Sequence, residues 1–303
     1  MSKAAVAVVH WRGMDDTGEC LESLARLTYP DVEIVVAVNG NEDFDEDRAR
    51  AACPRLRVLT LQTNAGYAAA CNAAARDVFA AGARYVLLLN NDTTVASGTL
   101  ETLIAACAPD HGIGICGPTV MYYDEPSRVW SAGGYVNMVF GYTRHHGFDS
   151  EDLPAVGRHV DFVNGCAMLV AREAWDRLGG MDERYFHYFE DADFCARARR
   201  AGFASYVVPN PLVRHKVSAS AGARGSNRLN RLQAYYFSRN RYRFLRGNVG
   251  GARRISTLLS QVLLLLPRDA YRDLRSGNLE ALLGRISGLS DALRGRSGPR
   301  GRK

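Results

Sequence analysis

The residues best suited to chemistry in this chain are three acids and an imidazole. Asp92 closes the apolar run Leu87-Leu88-Leu89-Asn90-Asn91-Asp92-Thr93, and Glu190 and Asp191 stand in Tyr185-Phe186-His187-Tyr188-Phe189-Glu190-Asp191-Ala192-Asp193. His215 follows 24 positions after Asp191, in Val213-Arg214-His215-Lys216-Val217. One carboxylate can hold a cation, an imidazole can complete that site, and a second carboxylate can take a proton from a hydroxyl within hydrogen-bond reach. Together these are the parts of a transferase centre. The apolar run reads as a buried strand that leaves Asp92 at the carboxyl edge of a sheet. Ligands of open α/β sheets bind in the crevice outside that edge.

The elements that must position these groups follow from hydrophobic periodicity. Residues 4–9 form a buried first strand. Cys20, Leu21, Leu24 and Leu27 recur at helical spacing and stop at Tyr29-Pro30. Residues 32–38 are a second strand, ending in the turn Asn39-Gly40-Asn41. A short helix at 48–52, a strand at 56–61 and an alanine-rich helix at 67–81 lead to the strand before Asp92. Strands alternating with helices of this length give βαβ units and a mostly parallel sheet, Rossmann-like in the broad sense. Residues 113–180, dotted with glycine, read as loops and short strands over the sheet edge. Within them, 161–171 is expected to be a buried strand and 173–178 a short helix. Residues 191–201 form a helix stopped by Gly202. Arginine-rich helices follow residue 221, and the end from 294 to 303 is expected to fray.

Motifs and charge narrow the classes. No G-x-G-x-x-G follows the first strand and no G-x-x-x-x-G-K-[ST] occurs, which excludes a dinucleotide fingerprint and a P-loop. A sugar nucleotidyltransferase needs a glycine- and lysine-rich phosphate loop near the N-terminus, also missing. The chain has 303 residues and a net charge of +6. From residue 221 onward 18 Lys+Arg face 4 Asp+Glu, 18 − 4 = +14, leaving 6 − 14 = −8 for residues 1–220. A tail of that sign is suited to an anionic membrane surface; nucleic acid is disfavoured because no base-reading motif accompanies it. The run at 258–266, closed by Pro267, is shorter than the ~20 residues that cross a bilayer. It suits the headgroup interface, with arginines beside it, or a core helix packed on the catalytic domain. Seven scattered cysteines without a C-x-x-C pair argue against disulfides and zinc and favour a reducing cytoplasm. The first residues run directly into a strand, with no signal peptide visible.

Six motifs occur in one register: His10-Trp11-Arg12-Gly13 with Cys20-Leu21-Glu22-Ser23-Leu24, Asn64-Ala65-Gly66-Tyr67-Ala68, Leu89-Asn90-Asn91-Asp92-Thr93, Gly165-Cys166-Ala167-Met168-Leu169, Asp182-Glu183-Arg184-Tyr185-Phe186 and Glu190-Asp191-Ala192-Asp193. Over residues 4–246 the chain resembles the family 2 glycosyltransferases of the GT-A fold, especially bacterial rhamnosyltransferases. The resemblance implies an α/β GT-A catalytic domain at 1–220, with a nucleotide-sugar half at about 1–110 and an acceptor half at about 111–220. A basic helical C-terminal extension occupies 221–303. It implies an inverting transferase that moves a sugar, rhamnose favoured, from dTDP-rhamnose or a UDP-sugar to a hydroxyl of a glycan or lipid-linked acceptor.

Carried over by position, Asp92 is the remaining acid of the family's D-x-D motif, Asn90 standing at the first place, and His215 completes the site for Mn²⁺ or Mg²⁺. Imidazole favours Mn²⁺. Asp191 matches the general base, and Glu190 tunes it or binds the acceptor. Asp193 is left to cap the helix or pair with Arg197. Successive helical positions diverge, so Glu190 and Asp191 are not expected to face the donor together. The nucleotide-sugar set is His10, Trp11, Asn39, Asn64, Gly66, Asn91 and Asp92; the acceptor set is Trp130, Gly165, Cys166, Tyr188 and Glu190. Val38 stands where the family often has an acid that holds base or ribose, and Arg12 replaces a commoner asparagine. The tail implies either a peripheral place at the inner face of the cell membrane or a homodimer through the C-terminal helices. The competing reading is a catalytically silent relative that binds sugar nucleotides or scaffolds a glycan assembly complex: Asn90 and Val38 favour it, Glu190, Asp191 and His215 oppose it.

Overall fold

The computed structural model describes residues 2–40, 43–138, 142–217 and 229–300. In chain order its elements are β1 (Ala4–His10), α1 (Met14–Ala25), β2 (Val32–Asn39), α2 (Glu46–Ala52), β3 (Leu56–Leu61), α3 (Tyr67–Ala80), β4 (Tyr85–Asn90), β5 (Thr93–Val95) and α4 (Thr99–Ala106). There follow β6 (Ile113–Tyr122), β7 (Val129–Ser131), β8 (Gly134–Asn137), β9 (Tyr142–His145), β10 (Arg158–Val160), β11 (Ala167–Ala171), α5 (Arg172–Leu178), α6 (Glu190–Arg200) and β12 (Ala204–His215). The C-terminal helices are α7 (Arg231–Asn248), α8 (Gly251–Ser260), α9 (Leu266–Arg275) and α10 (Leu279–Leu293).

The main sheet runs β10-β12-β6-β11-β4-β1-β2-β3. The β3-β2-β1-β4 half is parallel, built by the three βαβ crossovers read from the sequence. β11 lies antiparallel between β4 and β6, and β12 runs parallel to β6. Alternation along the strands feeds two cores. Ala5, Ala7, Val9 and Leu88 pack under α3, α5 and α6, while Ala4, Val6, Val8, Leu87 and Leu89 pack under α1, α2 and α4. A strand buried on both faces is apolar at every position, which is why β4 reads as an unbroken run. Full burial of each leucine contributes about 1.5–3 kcal/mol, so this strand is a firm base for the polar residues at its end.

Two expectations for the middle of the chain fail. β6 is a ten-residue strand in the centre of the sheet, not a loop region. Its Gly114, Gly117 and Pro118 concealed it, since these residues normally mark strand ends or edges. The strand expected at 161–171 begins only at Ala167. Residues 164–166 instead form a turn in which Asn164 Oδ1 accepts from the Cys166 amide at 2.8 Å.

The C-terminal helices are joined to this body. Phe244, Leu245 and Val249 belong to the same core as α3 and α6. α10 lies directly on α7: a Cβ at Gly284 would stand 2.2 Å from the Arg231 carbonyl oxygen, so only glycine permits this approach. Residues 294–300 do not fray. Gly298 N donates to the Arg184 carbonyl, Arg239 Nη1 donates to the Gly298 carbonyl, and Arg300 N donates to Tyr236 Oη. The expected boundary at 220/221 lies outside the described residues.

Pro267 closes the apolar run but not the helix, which continues through it into α9. α8 and α9 are continuous through a five-residue π segment, Gln261–Leu265. Along them Thr257, Gln261, Asp269 and Asp273 are buried, whereas Ile255, Leu259, Leu263, Leu264, Tyr271 and Leu274 are each more than half exposed. The polar side faces inward and the apolar side faces out, the reverse of an ordinary surface helix. Among the described residues, no helix is long and apolar enough to cross a membrane.

Candidate active site

Asp92 and His215 meet because two strand ends meet. β5, only three residues long, pairs antiparallel with the last three residues of β12 and sets Thr93 opposite His215. The Lys216 amide donates to the Asp92 carbonyl at 2.9 Å. Lys216 Nζ is in turn held by Asp16 at 2.7 Å and Glu19 at 2.9 Å, which ties this edge to α1. The result is a His215 Nε2 to Asp92 Oδ1 distance of 3.0 Å between two buried side chains. Trp130 presents its ring to His215 at 4.5 Å and to His145 at 5.4 Å between centroids. His215 Nδ1 has no hydrogen-bond partner.

Among the described residues no group of three or more His, Cys, Asp or Glu side chains forms a metal cage. The pair present nevertheless fits a hard divalent ion. Two neighbouring ligands at about 2.1 Å on an octahedral ion stand about 3 Å apart, and the remaining positions suit phosphate oxygens and water.

The acids of α6 are presented by an unusual piece of backbone. Phe186, Tyr188 and Phe189 all have positive φ, at 66°, 68° and 71°, a region that bulky side chains rarely adopt. The segment is held from two sides. The Tyr67 amide donates to the Phe186 carbonyl at 2.7 Å, and a Cβ at Gly66 would stand 2.6 Å from that oxygen. From α7, the buried Asn240 donates through Nδ2 to the carbonyls of Tyr185, His187 and Tyr188, and Arg239 Nη2 donates to Tyr185.

Thus aimed, Asp191 accepts from the Gly165 amide at 3.0 Å and the Ala192 amide at 2.7 Å. Burial raises its carboxyl against the pull of these amides. Glu190 Oε2 has no hydrogen-bond partner, and burial followed by the neighbouring Asp191 charge pushes its carboxyl up to about 8. At neutral pH Glu190 therefore keeps its proton. Asp193 pairs with Arg197 at 2.7 Å, as the sequence suggested.

One cavity of about 620 Å³ is lined by Asp92, Trp130 and His215, by Gly165, Cys166 and Tyr188, and by both Glu190 and Asp191. The expected divergence of the two acids does not keep either out of it, since Glu190 opens the helix and Asp191 follows in its first turn. His187 lines it too, with an imidazole that burial pushes down to about 4.

The remaining nucleotide-set residues do not line this cavity. His10 is buried, with Nδ1 at 2.7 Å from Thr17 Oγ1 and Nε2 at 2.9 Å from Asp43 Oδ1; burial lowers its pKa against the pull of Asp43. Asn39 is buried and folds the turn after β3: its Nδ2 donates to Asn64 Oδ1 and the Gly66 carbonyl, and its Oδ1 accepts from the Ala65 amide. Asn91 donates to the Arg12 carbonyl and to Thr17 Oγ1, while Arg12 stacks on Trp11 at 4.5 Å. These residues are the hydrogen-bonded rim of the sheet edge at β1, β2 and β3. Asp43, which sequence reading passed over, brings an acid to this rim despite Val38, holding both His10 and the Gly13 amide.

A sheet of this order with acids and an imidazole outside its strand ends is the GT-A architecture. The chain belongs to the family described as Glycosyltransferase like family 2, whose profile matches residues 2–234; it is a glycosyltransferase. It is 29% identical over 226 residues to the N-acetylglucosaminyl-diphospho-decaprenol L-rhamnosyltransferase of Mycobacterium tuberculosis, covering 67% of this chain and 72% of that one. The mannosyltransferase PcManGT of Pyrobaculum calidifontis, solved with GDP-Man and Mn²⁺, superposes with a TM-score of 0.59 at 16% identity, over 97% of this chain and 75% of that one. GalNAc-T7, solved with UDP, GalNAc and Mn²⁺, gives a TM-score of 0.58 at 16% identity over 71% of this chain, which spans 43% of that chain. At these identities the two structures speak for the fold.

Proposed function

We propose that this glycosyltransferase moves a sugar, rhamnose favoured, from a nucleoside-diphosphate donor to a hydroxyl of a lipid-linked glycan, with inversion. One observation carries the reading: a single cavity is lined by Asp92 and His215 and also by Asp191 and Glu190. The name of the mycobacterial relative supports the sugar and the acceptor class.

In this mechanism Asp191 takes the acceptor proton. The Gly165 and Ala192 amides fix its carboxylate, and its raised basicity suits a group that must accept a proton at neutral pH. Glu190, protonated, donates to the acceptor or to Asp191. Trp130 and Tyr188 offer ring faces to sugars. The oxygen made nucleophilic by Asp191 attacks the anomeric carbon as the nucleoside diphosphate departs from the opposite side, inverting that centre. Asp92 and His215 would hold Mn²⁺ or Mg²⁺, Mn²⁺ favoured by the imidazole, and a divalent ion there supplies charge neutralisation for the leaving diphosphate. His10, Trp11, Asn39, Asn64, Gly66 and Asn91 shape the rim on which the nucleotide rests, with Asp43 beside them.

The inverted α8–α9 helix supports a peripheral place on an anionic membrane. Its exposed leucines enter the interface and Arg254 and Arg275 meet headgroups. The alternative of a catalytically silent relative rests on Asn90 at the cavity wall. A screen of dTDP-rhamnose and UDP-sugars for hydrolysis and for thermal stabilisation, with and without Mn²⁺, decides between them. Metal-dependent hydrolysis of one donor is expected; binding without turnover, with any acceptor supplied, would favour silence.

A further inference from the structure

Four arginines from three C-terminal helices also line the catalytic cavity: Arg241 on α7, Arg268 and Arg272 on α9, and Arg285 on α10. Among the described residues, two carboxylates answer them. Asp269 accepts from Arg241 Nη1 at 3.1 Å and Arg268 Nη2 at 2.8 Å, and stands 3.5 Å from Arg285 Nη1 and 3.9 Å from Arg272 Nη2. Asp273 pairs with Arg285 Nε at 2.6 Å. Four cations against two anions leave a local charge of +2.

The imbalance is built into the interior. Burial alone would raise the Asp269 carboxyl, yet Arg241, Arg268 and Arg285 hold it below the usual range. Arg285 is only 1% exposed, and neither of its Nη atoms makes a hydrogen bond. A buried guanidinium with open donors is costly unless something accepts from it. The fork of donors matches phosphate oxygens, which arginine grips in pairs. Beside these cations, Leu263, Leu264, Tyr271 and Leu274 on the same continuous helix stand in solvent. A ligand with an anionic head and an apolar chain satisfies both features at once.

We propose that Arg241, Arg268, Arg272 and Arg285 form a subsite for the phosphate or diphosphate of the lipid-linked acceptor, whose hydrocarbon chain leaves over the apolar face of α8–α9. The subsite rests on the glycosyltransferase reading above and gives that reading its acceptor end. The donor's diphosphate belongs with Asp92 and His215, which come from other elements, so the cavity would hold one anion near β12 and another among the helices.

The test uses the full chain with EDTA, so that no cation contributes, and titrates farnesyl diphosphate and inorganic pyrophosphate by calorimetry. Farnesyl diphosphate should bind at least tenfold more tightly than pyrophosphate. The Arg268→Ala, Arg272→Ala double variant should weaken it at least tenfold. Both side chains are more than half exposed, at 58% and 53%, so the variant keeps its core, which a thermal melt verifies. Its affinity for UDP with Mn²⁺, measured alongside, should stay within twofold. Equal binding of the two diphosphates would overturn the lipid assignment, and a parallel loss of UDP affinity would give these arginines to the donor instead. If wild-type chain turned over no nucleotide sugar yet bound farnesyl diphosphate through these arginines, the catalytic reading would fall and the subsite would stand.

Discussion

Asn240 lies outside the expected catalytic machinery, yet it should control the rate. It is 0% exposed, and its Nδ2 donates to the carbonyls of Tyr185 and His187 at 2.7 Å and of Tyr188 at 3.0 Å, while its Oδ1 accepts from Arg239 Nε at 3.0 Å. Asn240→Ala leaves these groups buried without that partner. At about 1–3 kcal/mol for each strongly bonded group, two of them amount to about 2–6 kcal/mol. The backbone being restrained contains three bulky residues at positive φ, each costing roughly 1–3 kcal/mol. The two sums are of one size, so the segment should relax and carry the start of α6 with it. A misplacement of about 1 Å at a reacting group costs on the order of 100-fold in rate. The expected result is a fall of at least 30-fold in kcat, with donor KM within threefold and a melting temperature several degrees lower. Asn240 acts as a positioning residue through Asp191, so the split between kcat and KM is the decisive readout. A variant that melts earlier but keeps wild-type kcat would refute the argument.

The titration of Glu190 gives a second expectation. Burial and the Asp191 charge push its carboxyl from the ordinary 4.5 up to about 8 in the fold. The folded state therefore holds the extra proton between these values, and stability should fall as pH rises from about 5 to 8. Glu190→Gln should flatten that slope in thermal melts and remove the loss of transfer rate above about pH 8; an unchanged slope contradicts a buried, protonated Glu190. Gly66→Ala combines a φ of 91° with a Cβ 2.6 Å from the Phe186 carbonyl oxygen, and should lower the melting temperature more than an alanine at the unobstructed Gly98. Asp92→Asn should raise the Mn²⁺ concentration giving half-maximal turnover at least tenfold, as removal of a hard anionic ligand requires; an unaltered Mn²⁺ response would take Asp92 out of the metal site.

Much of this was legible in the sequence, for identifiable reasons. Continuous apolar strands and helices of ordinary period exposed the β1–β4 half directly, and the abrupt polar end of β4 located Asp92. His215 was another matter. Its placement depends on β5, a three-residue strand that no periodicity reveals, and residue chemistry named it as a candidate that the family resemblance then strengthened. β6 was lost because Gly114, Gly117 and Pro118 imitate loop chemistry in a strand whose irregular pairing with β12 tolerates them. The positive-φ turn before Glu190 was invisible because Phe and Tyr give no local cue to it; distant hydrogen bonds impose it. Asn39 and His10 were recognised as important at the nucleotide edge, but both side chains are spent on holding turns. The tail arginines read as a charge run, and only the packing of α7, α9 and α10 turns some of them into the cavity. Thr257, Gln261, Asp269 and Asp273, at intervals of four, eight and four, share one helix face and would have pointed to the inverted helix had the polar residues been followed instead of the leucines.

The most direct test of the account is Asp191→Asn, assayed for sugar transfer and, separately, for calorimetric binding of the nucleoside diphosphate with Mn²⁺. The substitution keeps the side chain's shape and one acceptor oxygen while removing its ability to take a proton. Transfer should fall by about 10²–10⁴-fold, with nucleotide affinity within twofold of the wild type. Turnover at the wild-type rate, or loss of nucleotide binding in step with activity, would contradict a base on α6 acting across the cavity from Asp92 and His215.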